Sequence, residues 1–238
     1  MDDIKKEITD YWTWRVEKFE ALRLDELNSN KRERWLYELH RYLPTGRKLD
    51  ILDIGAGTGF FSFLLAAEGH NMTGIDLTEE MILGAMHSAE LLDLHPTFLV
   101  MDAESPTFEP ESFDAIVTRN LTSFLPNLPQ AYKKWHGLLR KGGILINFDG
   151  DYHRDHSDGP LPENHAHKDL TAQQNAAYAH IESEMRELQQ PRPDWDMALL
   201  AHAGYRNLKV DRDCYYRIYR EIDKFYNPTP IFCITAVK

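Results

Sequence analysis

Three glycines at alternate positions, Gly55, Gly57 and Gly59, interrupt an otherwise apolar stretch and constrain the chain more than any other feature. The residues before them, Leu49-Asp50-Ile51-Leu52-Asp53-Ile54, predict a buried strand, and Phe60 to Ala67 predict the start of a helix. Strand, glycine turn and helix together open a nucleotide-binding α/β unit. Glycine suits such a turn because it accepts positive φ and because a Cβ would hold the backbone away from a ligand. The free N–H groups at the helix start can then face a polar or anionic group.

The spacing separates two nucleotide-binding classes. A dinucleotide fingerprint reads G-x-G-x-x-G, whereas this stretch reads G-x-G-x-G, with Asp53 two residues before the first glycine. A second acidic residue, Asp76, closes the next apolar run, Met72-Thr73-Gly74-Ile75, 21 residues after Gly55. That is where a carboxylate that binds ribose hydroxyls belongs. A dehydrogenase is therefore disfavoured, because the glycine spacing is wrong and Asp102 has no role in one.

These residues carry a resemblance. Leu52 to Gly59 resembles the first motif of the class I S-adenosylmethionine-dependent methyltransferases. Gly74-Ile75-Asp76-Leu77-Thr78-Glu79-Glu80-Met81 resembles their second-strand motif, and Met101-Asp102-Ala103-Glu104 their third-strand site. Phe113 to Val117 is similar to the fourth strand, and Leu138 to Leu145 to the turn into the fifth. The resemblance implies a doubly wound, seven-stranded Rossmann-like α/β sheet whose last strand is antiparallel, with S-adenosyl-L-methionine as cofactor. It also implies cofactor contacts from Asp53, Gly55, Ala56, Gly57, Gly59, Asp76, Leu77 and Met81. Asp102, with Ala103 and Glu104, would hold the adenine, and Arg119 and Asn120 would lie over the methyl-donor site. Tyr11-Trp12-Thr13-Trp14 resembles the aromatic helix that covers the cofactor in small-molecule methyltransferases, so Tyr11 and Trp12 are candidate contacts.

At 238 residues the chain reads as one domain with a full core. The segments expected are an N-terminal helical cap (1–45), a cofactor-binding core (46–149), a substrate-cap insertion (150–193) and a C-terminal helix with strands (194–238). A net charge of −11 argues against a general nucleic-acid or anionic-membrane binder. Arg32, Arg34, Arg41, Arg47 and Lys48 could form a local basic patch, but a solvated helix face explains them as well. No apolar run reaches the roughly 18 residues of a membrane span, and Met1 to Glu7 lacks the apolar core of a signal peptide. Two cysteines, Cys214 and Cys233, give no disulfide framework and are expected on late strands as buried apolar groups in a reducing cytoplasm.

The flanks are less generic. Residues 3–24 predict one amphipathic helix and 29–43 a second. After Asp149, about 45 residues separate the fifth strand from Pro193, including a helix from about Thr171 to Leu188. Loops this long in compact domains are usually functional or disordered, so this one is expected to cap the substrate. Asp194 is expected to cap the next helix, and Tyr215 to Ile222 to extend a strand or form an irregular arm.

Methyl transfer from a sulfonium is an in-line displacement with a neutral leaving group. Positioning and desolvation supply most of the catalysis, and a base is needed only for a protonated acceptor. The insertion nonetheless holds His153, His156, His165 and His167 among Asp151, Asp155, Asp158 and Glu163. A polar lid explains these residues. The sharper reading makes Tyr152, His153 or His156 a substrate contact or base. Their spacing matches no recurrent metal motif, so no metal is expected. A small-molecule acceptor is the favoured reading, with an RNA or protein methyltransferase and a non-catalytic cofactor-binding protein as alternatives. Arg119-Asn120-Leu121-Thr122 departs from the Asn-Pro-Pro-Tyr motif of amino-group methylation on bases or glutamine. The acceptor atom and the oligomeric state stay open.

Overall fold

A computed structural model describes residues 2–154, 162, 163, 165 and 170–238. Its centre is a seven-stranded sheet in the order β3-β2-β1-β4-β5-β7-β6. The strands are β1 (Asp50–Ile54), β2 (Asn71–Asp76), β3 (Thr97–Val100), β4 (Phe113–Arg119), β5 (Leu139–Gly150), β6 (Arg206–Asp211) and β7 (Ile231–Val237). The first five pair in parallel, whereas β7 runs antiparallel to both β5 and β6. The central strands are buried on both faces because helices cover both, which is why successive residues of β1 and β4 are buried instead of alternating with exposed ones.

One face is covered by α3 (Lys31–His40), α4 (Phe60–Ala67), α5 (Glu79–Leu92) and α9 (Cys214–Ile218), packed around Trp35, Phe61 and Phe148. The other carries α6 (Leu128–Leu138) and α8 (Asp194–His202), packed around Tyr132, Trp135 and Leu200. A third cluster joins α1 (Asp2–Thr13) and α7 (Ala172–Leu188) to the loop after β4, through Tyr11, Phe124, Ile181 and Met185. It lies at the carboxyl edge of the parallel strands, where open α/β sheets bind ligands.

Several elements differ from the sequence expectations. The single helix over 3–24 is two helices, α1 and α2 (Val16–Leu27), broken at Trp14–Arg15. Arg15 donates to the Tyr11 hydroxyl at 2.8 Å across the break. The break lets α1 pack against α7 while α2 turns towards α4 and α5, which one straight rod could not do. Tyr215 to Ile222 is no strand: Tyr215, Ile218 and Tyr219 bury one side of the short helix α9 and the residue after it, at the three- and four-residue spacing of a helix. Cys214 therefore opens that helix rather than lying on a strand, while Cys233 is on β7; both are buried.

β5 begins earlier than expected, at Leu139, and runs through Gly142-Gly143 as part of the strand. A Cβ on Gly143 would lie 2.9 Å from the Arg140 carbonyl oxygen, so this irregular start needs a glycine. Pro193, not Asp194, occupies the cap of α8, and it makes no side-chain cap bond. The arginines weighed as a basic patch or a solvated face are paired with carboxylates, Arg34 with Glu221, Arg41 with Asp211 and Arg47 with Asp114.

Candidate active site

The glycine turn is wired to the end of β2. Gly55 and Ala56 N–H groups donate to the Ile75 carbonyl at 2.8 and 2.9 Å. Gly57 N–H donates to one Asp76 oxygen at 2.9 Å, and Thr78 N–H donates to the other at 2.9 Å. One carboxylate thus fixes both loops that border the cleft. Gly57 and Gly59 have φ of 53° and 90°, the left-handed region. Burial pushes the Asp76 carboxyl above its usual range against these bonds. Asp53 is buried behind the turn, where it accepts from Ser62 N–H at 3.0 Å and Ser62 Oγ at 2.8 Å. Burial, opposed by Ser62, pushes its carboxyl up to about 7.

These loops open onto a cleft enclosing about 1250 Å³, part of it open to solvent. Asp53, Gly55, Ala56 and Gly57 line its floor, and Asp76, Leu77, Met81, Asp102 and Ala103 line one wall. Trp12, Arg119 and Asn120 close the far end. Asp102 Oδ1 accepts from Glu104 N–H at 2.8 Å, while Oδ2 meets Lys5 of α1 at 2.8 Å.

Gly59, Glu104 and Tyr11 do not line this cleft. Gly59 caps α4 over the rings of Phe63 and Phe98. Glu104 is buried and turned inwards, where it accepts from Asn127 N–H and pairs with Lys5. Tyr11 lines a second cavity instead.

That second cavity, about 1330 Å³, adjoins the first across a shared wall of Trp12, Arg23, Arg119, Asn120 and Phe124. Its other sides come from α7, through Asn175, Tyr178 and Glu182, and from the 224–229 segment. Tyr152 also lines it: its hydroxyl donates to Asn120 Oδ1 at 2.8 Å and accepts from Asn227 Nδ2 at 2.7 Å. Burial raises the Tyr152 hydroxyl well above its ordinary value, so its proton stays on oxygen. Tyr152 is thus placed to position groups rather than to act as a base.

His153 lines neither cavity. It is fully buried behind Phe124, with Nε2 2.7 Å from the Ser123 carbonyl oxygen. Burial lowers its pKa, so the ring is neutral, and the carbonyl contact assigns its proton to Nε2. The base expected there is therefore turned to holding the loop after β4. His156 lies outside the described residues. His165 does line the second cavity, with Nε2 2.8 Å from the Tyr226 carbonyl oxygen. Trp14 is exposed, and Trp195 packs with the α6–α8 cluster on the far side of the sheet.

Sequence reasoning missed the buried charges of α1 and α2. Arg119 is bidentate to Glu26, at 3.0 and 3.2 Å, and stacks on Trp35 at 4.1 Å. Glu26 also pairs with Arg23 and accepts from Trp35 Nε1 at 3.0 Å. Burial alone would raise the Glu26 carboxyl, but the two guanidiniums hold it down at about 2. Only the i, i+3 spacing of Arg23 and Glu26 hinted at a pair, and nothing local placed it beside Arg119.

The architecture and the cleft have counterparts among known proteins. A family model described as a methyltransferase domain matches residues 52–147. A ubiquinone biosynthesis O-methyltransferase of Coxiella burnetii is 33% identical over 96 residues, covering 40% of this chain and 41% of that protein. The chain thus aligns with less than half the length of that relative. A Mesorhizobium loti S-adenosylmethionine-dependent methyltransferase structure superposes with a TM-score of 0.62 at 15% identity, covering 86% of this chain and 98% of the other. The Haemonchus contortus phosphoethanolamine N-methyltransferase 2, solved with S-adenosyl-L-methionine, gives 0.61 at 19% identity, covering 85% and 51%. Residues 52–147 thus match a methyltransferase domain, and the fold is shared with S-adenosylmethionine-dependent methyltransferase structures. The cleft fits S-adenosyl-L-methionine, the ligand of the Haemonchus structure: Gly55 and Gly57 present no Cβ, the Asp76 carboxylate borders it, and Leu77 and Met81 supply apolar contact beside Asp102.

Proposed function

We propose that this chain is a methyltransferase whose acceptor is a small molecule bound in the second cavity. The observation that carries the reading is the shared wall. Trp12, Arg23, Arg119, Asn120 and Phe124 face both spaces, so a donor in one and an acceptor in the other meet there. The cofactor, when bound, supplies an electrophilic methyl on a sulfonium. The chain's own part is to orient and desolvate. Asp76 and the glycine turn hold the donor end, while the aromatic rings of α1, α7 and the loop after β4 exclude water. The shared wall contains two arginines, an amide and two rings, so the part these residues play is positioning.

A small acceptor is supported by the second cavity's aromatic lining and by the net charge of −11, which disfavours a polyanion. Two similar proteins are named for small-molecule chemistry, ubiquinone biosynthesis and phosphoethanolamine. Among the described residues, no helix is long and apolar enough to cross a membrane. The test is transfer of a labelled methyl from S-adenosyl-L-methionine to a cell extract fractionated by size. Label below about 1 kDa is expected. Label confined to RNA or protein, or no transfer to any fraction, would overturn the reading.

A further inference from the structure

The wall between the cavities carries unbalanced charge. Among the described residues, Glu26 is the one carboxylate bonded to either Arg23 or Arg119. Two guanidiniums therefore share one counter-charge at a site where their side chains are only 13% and 9% exposed. Among the described residues the buried nitrogen Nε of Arg119 has no hydrogen-bond partner, while its Nη2 also donates to the Tyr219 hydroxyl at 3.5 Å. A buried cation without a full set of partners is costly, and the cost is relieved when an anion occupies the adjoining space. Burial and the neighbouring Arg119 charge both hold the Arg23 guanidinium below its ordinary value, whereas Glu26 and Tyr219 outweigh burial and hold Arg119 above its own, so the shortage of negative charge falls on Arg23.

The pair cannot relax by moving. Arg119 is clamped between Trp35 and Phe60, 4.1 and 4.8 Å from the ring centres, and Arg23 lies 4.4 Å from the centre of Phe19. Of the other charges lining the second cavity, Lys224 pairs with Asp25 at 2.5 Å, and the Glu182 carboxylate stands on α7, near enough to Tyr11 and Tyr178 to help raise both hydroxyls. Asp53 feels the Arg119 charge but keeps its bonded oxygen on Ser62.

We infer that the acceptor is an organic anion whose carboxylate or similarly charged oxygens sit against Arg23 and Arg119. The inference rests on the second cavity being the acceptor site. Its walls of Tyr152, Tyr178, Tyr219, Phe225 and Tyr226 suit an acceptor with a flat apolar body behind the charged end. A guanidinium pair of fixed geometry recognises a planar carboxylate better than it does a neutral amide of the same shape.

The same chemistry could come from the cofactor's own carboxylate, and the test separates the two sources. Benzoate, benzamide and benzylamine are titrated onto the full-length protein, with and without saturating S-adenosylhomocysteine. Benzoate is expected to bind at least tenfold more tightly than benzamide, and benzylamine not to bind. Arg23→Gln should lose that tenfold preference, while Arg23→Lys, which keeps the charge, should retain part of it. S-adenosylhomocysteine and 5′-methylthioadenosine, which lacks the amino-acid end, are titrated onto both proteins. If Arg23→Gln weakens only the former and benzoate binds both proteins alike, the pair serves the cofactor and the inference is overturned. Equal binding of benzoate and benzamide, or binding of neither, overturns it as well. Absence of S-adenosylhomocysteine binding in the wild type would refute the cofactor cleft, while the benzoate-to-benzamide ratio would still decide the anion site.

Discussion

Asp53 and Gly59 show how much single side chains of the glycine turn carry. Asp53 keeps its proton in the folded protein up to about pH 7, because burial disfavours the charge. In the unfolded chain a carboxyl loses its proton near pH 4, at roughly 3.9. Between those values the folded state binds more protons. The stability this group supplies is therefore complete below about pH 4 and is lost as pH rises through 7. The measurable outcome is a difference: wild type should lose stability relative to Asp53→Asn between pH 5 and 7.5 in urea unfolding, and a constant difference would contradict the assignment. Gly59 has φ of 90°, and a Cβ there would come within 2.6 Å of the Phe63 ring. Gly59→Ala should cost about 1–3 kcal/mol, read as a lower unfolding midpoint. The placing of Asp53, Gly55, Gly57, Asp76 and Asp102 beside the cleft was legible because it depends on position at the carboxyl ends of successive apolar strands. Arg23, Glu26 and Lys5 were not, since they reach the site only after α1 and α2 fold over the sheet. Glu104 misled by adjacency: it follows Asp102 closely in sequence, but its side chain turns inwards to Asn127.

The loop after β4 is held from below rather than by its own residues. Asp149 at the end of β5 accepts from Thr122 Oγ1 at 2.5 Å and from Ser123 N–H at 2.9 Å. Gln189, just past α7, donates to the carbonyls of Thr122, Ser123 and Leu125, each at 3.1 Å. Arg192 is buried between Asp149 at 3.3 Å and Asp196 of α8, and its guanidinium also reaches Thr122 Oγ1 at 2.6 Å. This network joins three elements to the short turn that supplies Phe124 to both cavities. Arg192→Met would leave two buried carboxylates without their cation, at a cost of roughly 3–5 kcal/mol. Adding Asp196→Asn should recover part of that loss in denaturant unfolding, and no recovery would show that the pair is not coupled. At this scale the parallel core elements followed from hydrophobic period and glycine position. The break at Trp14–Arg15 and the helix at Cys214–Ile218 did not, because tertiary burial of Tyr11, Tyr215 and Ile218 decides them and local pattern fits more than one outcome.

The strand order puts five parallel strand ends on one edge, and α1, α7 and the 224–229 segment close over that edge. The sequence marked this division between a generic core and a particular cover, because the motifs run from about residue 48 to 150 and the flanks match less specifically. What the cover recognises could not be read before folding, since Tyr11, Arg23, Tyr152 and Asn227 are far apart in the chain and meet only around the second cavity. The claim on which the whole account depends is that the cleft at the glycine turn takes S-adenosylmethionine through Asp76. The direct measurement is calorimetric titration of S-adenosylhomocysteine into the wild type and Asp76→Ala, with NAD as the control ligand. The account predicts one site in the wild type, at least tenfold weaker binding in the variant, equivalent to about 1.4 kcal/mol or more, and no heat from NAD. Binding of NAD without S-adenosylhomocysteine, or equal affinity in both proteins, would contradict it.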